Sequence, residues 1–317
     1  MSKDSFPGLR DLGTIIVIRI ATNGLQGLRS GPYFYQQASF HHVYRVFPDS
    51  QSAFFSAITQ SPISGQFIEH RPTDHVAVPS RLYSPPQTPK LPLSGLRFAS
   101  KDVFDVAGLK TSAGSRSFFE LSDPEPKSAF IVQKLSALVA VLVGKAKNTQ
   151  FANGEDPQEW IDYRCPWNPR AGDGYQNPDT SSSGSAMAVS SYPWLDFAIG
   201  SDTCGSIACP AAAQGIFGLR LSTDTSGIFT RSIDILHLVS SKLLEGASEP
   251  GRSPPISEVQ TIPSRIVYPK SSFPHDNGET IESVDRFIKA LESFCNTERT
   301  ILNIDEEWKK TDPQGLG

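Results

Sequence analysis

The chain has 317 residues, 38% of them hydrophobic and 20% charged, with a net charge of −4. That length is enough to bury a large core in one big α/β domain or two ordinary ones. The mild acidity leaves no electrostatic footprint for nucleic acid or an anionic membrane surface, so the expected partners are small neutral or amphipathic molecules.

The run Thr14 to Ile18 is cut by Arg19 and is too short for a membrane-spanning helix or the apolar part of a signal peptide, which predicts a soluble, cytoplasmic protein without a membrane span. Residues 1 to 80 mix short apolar runs such as Ile15 to Ile18 with the aromatic stretches Tyr33 to Tyr35 and His42 to Phe47. They read as a small β-rich module appended to the rest. From Pro79 to Pro92 the chain carries five prolines, which resist both helix and central strand, so the domain boundary is expected there.

Beyond it the pattern alternates. Leu96 to Ala99 reads as a strand, Ile131, Leu135 and Leu138 stand at helical spacing after the breaker Asp123-Pro124-Glu125-Pro126, and Val141 to Val143 reads as a buried strand. A Ser-rich loop, Thr180 to Ser185, leads into a small-residue helix and then a strand from Leu195 to Ile199. Alternation of this kind predicts a layered α/β fold with a mixed sheet flanked by helices. Ser240 to Ile262 reads as a loop, Arg265 to Tyr268 as a strand, and Ile281, Val284, Ile288, Leu291 and Phe294 as the core-facing stripe of a helix.

The four cysteines, Cys165, Cys204, Cys209 and Cys295, show no CxxC spacing and no histidine nearby in a ligand pattern, so neither structural zinc nor a disulfide framework is expected. A cysteine nucleophile at 204 or 209 needs a histidine partner, and the nearest, His237, lies in an unrelated segment. Lys145 follows a strand without the glycine pattern of a phosphate loop and is read as shaping the strand end.

Three segments, in order, carry a resemblance. RFASKDVFDVAGLKTSAGS begins at Arg97, NPDTSSSGSAMAVSS at Asn177 and DFAIGSDTCGSIACPAAAQGIFGLR at Asp196. They are similar to the three motif blocks of the amidase signature family, and VLVGKAKNTQFANGEDPQEW between them resembles its fungal branch; the likeness is strong over residues 80 to 225. It implies an amide hydrolase for small-molecule substrates, acting on a non-peptide carbon–nitrogen bond through an acyl-enzyme, with no metal or organic cofactor.

The resemblance implies roles residue by residue. Ser206 matches the nucleophile, Lys101 the base and Ser181 a relay serine that follows a cis peptide bond, with Ser182 one step along the same run. A serine hydroxyl is a weak nucleophile until a base lies within hydrogen-bond reach, and burial lowers a lysine pKa so that the neutral amine can fill that role. Backbone amides of Thr203, Cys204 and Gly205 match the oxyanion donors.

Three departures stand out. Asp179-Thr180 replaces Gly-Gly, Cys204 replaces a glycine, and Ala208 replaces the arginine that pairs with the aspartate matching Asp202. Strain at Cys204 is expected if that position needs positive φ, and Asp202 is expected to lack a partner. The chain also looks shortened at its C-terminal side. The rival reading is an amidase-like remnant that serves as a scaffold or binding protein; the N-terminal module and the oligomeric state carry no signal.

Overall fold

The computed structural model describes residues 29–36, 39–71, 74–170, 176–221, 225–245, 264–270 and 278–311. The apolar run at Thr14 to Ile18 and most of the segment read as a loop after Ser240 lie outside these. In chain order the strands and helices of the first compact unit, Met1–Leu243, are β1 (Tyr33–Gln36), β2 (Ser39–His42), β3 (Tyr44–Pro48), β4 (Phe54–Gln60), β5 (Phe67–His70), β6 (His75–Pro79), β7 (Arg97–Lys101), α1 (Arg116–Leu121), α2 (Phe130–Ala137), β8 (Val141–Ala146), α3 (Ser183–Ser191), β9 (Phe197–Asp202), α4 (Ala208–Gln214), β10 (Phe217–Arg220), β11 (Thr225–Thr230) and α5 (Ile233–Leu244).

Seven of the strands form one mixed sheet in the order β10-β11-β9-β7-β8-β4-β5. β7 runs parallel to both neighbours, β8 and β9, and every other pairing is antiparallel. Side chains alternate across the central strands as the pleat requires. Phe98, Phe197 and Ile199 face α2 and α5, while Ala99 and Ala198 face α3. The layered α/β architecture read from the alternating pattern is therefore the architecture found.

The α3 side of the sheet is made of small residues, and this sets how close the helix sits. Ser183, Gly184, Ser185, Ala186, Met187, Ala188 and Val189 are all buried, so α3 is a helix enclosed on every side. A Cβ on Gly184 would fall 2.6 Å from the backbone N and O of Lys147. Only glycine fits that contact.

The boundary expected after residue 80 falls inside this unit. β4 pairs with β8 in the central sheet, and Ala53, Phe54, Val76 and Val78 lie in the same buried cluster as Ala186 and Met187. The prolines from Pro79 to Pro92 mark a connection between β6 and β7 within one body. They were misleading because proline reports local backbone restriction, not whether distant strands pair across it. Likewise, the loop expected from Ser240 begins later: α5 continues to Leu244, with Leu236, Val239 and Leu243 buried at helical spacing.

The second unit, Leu244–Gly317, contains β12 (Ile266–Pro269), α6 (Gly278–Cys295), β13 (Arg299–Leu302) and α7 (Ile304–Thr311). β12 and β13 pair in parallel. The apolar stripe on α6 is present, but Ile288 is its one buried position among the described residues, and Ile281 and Phe294 at its ends are exposed. No helix among the described residues is long and apolar enough to cross a membrane.

Candidate active site

Lys101 is the last residue of β7, a strand enclosed by parallel neighbours, and its side chain is wholly buried. Its Nζ lies 2.6 Å from Ser181 Oγ and 2.9 Å from Ser201 Oγ, with the Ser201 carbonyl at 3.4 Å. Burial pushes the Lys101 pKa down to about 7 against the opposing pull of the Asp202 carboxylate. A buried lysine without a carboxylate in direct contact is free to be neutral.

Ser181 arrives from the loop ahead of α3, and the Thr180–Ser181 peptide bond is cis. Asp179 occupies the left-handed region at φ 64°. An aspartate can sit there because its short side chain bonds locally: Oδ1 accepts from the Thr180 amide at 2.7 Å, the Asp179 amide donates to Asn177 Oδ1 at 2.8 Å, and the Asp179 carbonyl accepts from Ser183 Oγ at 2.6 Å. The missing glycine pair is replaced by a hydrogen-bonded turn. Ser182 points elsewhere, donating to the Ser201 carbonyl at 3.2 Å; of the two adjacent hydroxyls, only that of Ser181 meets Lys101.

Ser206 sits in the turn between β9 and α4, half-buried, and among the described residues its hydroxyl has no hydrogen-bond partner. The turn is organised by Asp202, which ends β9 with its side chain 1% exposed. Its carboxylate accepts from the amides of Gly205 at 2.8 Å and Ile207 at 2.5 Å, on either side of Ser206. Burial would raise its pKa, but these amides and a guanidinium hold it below the ordinary carboxylate value.

That guanidinium belongs to Arg220, whose Nη1 donates to Asp202 Oδ1 at 3.0 Å. The expectation that Asp202 lacks a partner is thus corrected. The charge comes from β10, which the β10–β11–β9 pairing folds back beside the turn, and local sequence around Ser206 gives no sign of it. Strain at Cys204 is also absent: positive φ falls at Gly205 (119°), not at Cys204. Of the three amides expected to face an oxyanion, that of Gly205 is engaged by Asp202, while those of Thr203 and Cys204 have no acceptor among the described residues. A cavity of about 460 Å³ opens beside them, lined by Asp202, Thr203, Cys204, Gly205 and Arg220.

Beneath Lys101 lies a buried ion pair that the sequence did not reveal. Lys145 Nζ is 2.6 Å from Asp102 Oδ1, with both side chains at most 1% exposed. Lys145 also donates to the Lys110 carbonyl and Thr111 Oγ1, each at 3.0 Å, and Asp102 accepts from the amide and hydroxyl of Ser112. The network anchors the chain as it leaves β7. Ser201, which touches Lys101, was also missed; its place in β9 two residues beyond Ile199 was the available signal. Among the described residues no group of His, Cys, Asp and Glu is arranged to hold a metal ion, and all four cysteines are free.

A fold with these motif residues gathered at the ends of β7 and β9 defines a class, and comparison with known proteins identifies it. The family model described as Amidase matches residues 77–267, and the chain belongs to this family, the one whose motif blocks the sequence carries. It is 37% identical to Amidase 1 of Oryza sativa subsp. japonica over 178 residues, which is 50% of this chain and 39% of that protein. It is 35% identical to Amidase 1 of Arabidopsis thaliana over 213 residues, 61% of this chain and 48% of that one. The chain therefore spans less than half the length of these curated relatives. Among solved structures, an amidase superposes with TM-score 0.53 at 26% identity, covering 69% of this chain and 50% of that chain. The urea amidolyase of K. lactis shares the fold, with TM-score 0.59 at 20% identity, over 83% of this chain and 16% of its own.

Proposed function

We propose that this chain hydrolyses a non-peptide amide through an acyl-enzyme on Ser206, with Ser181 as proton relay and Lys101 as base. The observation that carries this reading is a buried lysine, with its pKa near 7, 2.6 Å from a serine hydroxyl. At neutral pH about half of such amines are unprotonated and can accept a proton.

In the first step Ser206 Oγ forms a bond to the amide carbonyl carbon as its proton passes to Ser181 and the Ser181 proton passes to Lys101. The carbonyl π-electrons move to oxygen, where the amides of Thr203 and Cys204 are the available donors. The oxyanion then collapses, the carbon–nitrogen bond breaks, and the proton held at Lys101 returns through Ser181 to the leaving amine. Water cleaves the resulting ester by the same relay.

A serine-reactive fluorophosphonate tests this directly. It should label the wild-type chain at one site, and labelling that persists in Ser206→Ala removes the assignment. A screen of aryl, aliphatic and fatty amides then identifies the substrate class, since specificity resides in pocket walls and not in the shared fold. A folded chain that neither labels nor turns over any amide favours the scaffold reading instead.

A further inference from the structure

Ser206 lies in a turn whose neighbours on both sides are tied to one carboxylate. The amides of Gly205 and Ile207 both donate to Asp202, so the position of the Asp202 side chain sets the path of the backbone through Ser206. A buried carboxylate is costly unless hydrogen bonds and a paired cation compensate its charge, and here the amides are joined by a cation. Arg220 supplies it, and the same Nη1 also donates to the Thr203 carbonyl at 3.1 Å. One nitrogen therefore grips the turn at two successive residues.

We propose that Arg220 is a positioning residue for Ser206: its guanidinium, brought in by β10, locks Asp202 and Thr203 so that Ser206 Oγ and the neighbouring amides are held in reacting geometry. The inference rests on the reading of Ser206 as nucleophile. Arg220 itself is partly exposed, at 39% of its side-chain surface, and is placed to act through Asp202. Ala208 offers a second route to the same carboxylate, because its amide also bonds Asp202 and its side chain is exposed.

The test uses the full chain and the maximal rate constant and half-saturation concentration for fluorophosphonate labelling. Displacing a reacting group by about 1 Å costs roughly 10²-fold. Arg220→Ala should therefore lose about that factor in the rate constant, with half-saturation changed little. Because Arg220 acts mainly through Asp202, Arg220→Ala should lose far less in an Asp202→Ala background than in the wild-type chain, the remainder coming from its bond to the Thr203 carbonyl; fully additive losses overturn the proposal. A wild-type rate constant in folded Arg220→Ala overturns it as well. Should Arg220→Ala fold poorly, the double variant Arg220→Ala/Ala208→Arg decides: recovery of labelling supports the role, and a folded but unreactive protein overturns it.

Cys204 and Cys209, both exposed, flank Ser206 and report on the turn without any catalysis. Alkylation of Cys204 by iodoacetamide, read by peptide mass, should accelerate severalfold in Arg220→Ala. If the wild-type chain does not label with fluorophosphonate but this acceleration is seen, the hydrolase reading fails and the positioning of the turn by Arg220 stands. An unchanged alkylation rate counts against it.

Discussion

Lys101 Nζ stands 2.6 Å from Ser181 Oγ with the lysine side chain wholly buried, so the proton state of one amine governs the hydroxyl beside it. With its pKa near 7, the neutral fraction rises as pH increases through that value. The fluorophosphonate acylation rate is expected to climb between pH 6 and 8 and then level. Lys101→Ala should lower it by about 10² to 10⁴-fold, the usual range for a general base, and abolish this limb of the profile.

The same burial makes Lys101 costly to the fold. Its pKa is about 7 in the folded chain against an ordinary 10.5, so between these values unfolding takes up a proton. The cost is complete below pH 7, nearly so at pH 7, and disappears above pH 10.5. Lys101→Met should be inactive yet more resistant to urea at neutral pH, by something on the order of a few kcal/mol, and the gain should vanish as pH approaches 10.5. Urea titrations at pH 7 and pH 10 check the sign.

Ser181 and Ser182 are adjacent but engaged differently, one with Lys101 and one with the Ser201 carbonyl. Ser181→Ala is expected to slow acylation by about 10² to 10⁴-fold with little change in stability. Ser182→Ala should do the reverse, costing about 0.5 to 1.5 kcal/mol for the lost hydrogen bond and leaving the rate within about tenfold. Side-by-side labelling and thermal unfolding of the two variants separate them.

The Lys145–Asp102 pair is fully buried, so removing one partner strands the other. Lys145→Met is expected to cost about 3 to 5 kcal/mol, and Lys145→Met/Asp102→Asn to recover part of it. Chemical denaturation of the single and double variants measures both. If Lys145→Met is neutral, the pair does not anchor the exit from β7.

The candidate site was drawn from the resemblance that three ordered motif blocks carry. Taken singly, Lys101 after a strand pattern, the serine run ahead of a small-residue helix and Ser206 after Gly205 would each read as ordinary surface or loop positions. Arg220 did not stand out, since an arginine in a short, largely exposed strand looks like any solvated charge until β10 is folded against β11 and β9. The pairing of Lys145 with Asp102 was opaque for the same reason. Lys145 was read only as shaping a strand end and Asp102 only as part of a motif block, and they stand far apart in the chain.

What the sequence by itself determined is local: the strand and helix periods of β7, α2, β8 and α3, the small residues that let α3 lie close to the sheet, and the order of the motif blocks. Tertiary structure alone decided which strands share the sheet, so that β4 and β5 joined it across a proline-rich connection, and which charge reached Asp202. Periodicity is set by bonds and rotamers within a few residues. Strand pairing and buried ion pairs are set by the burial of surfaces far apart in the chain, and no local pattern encodes the partner.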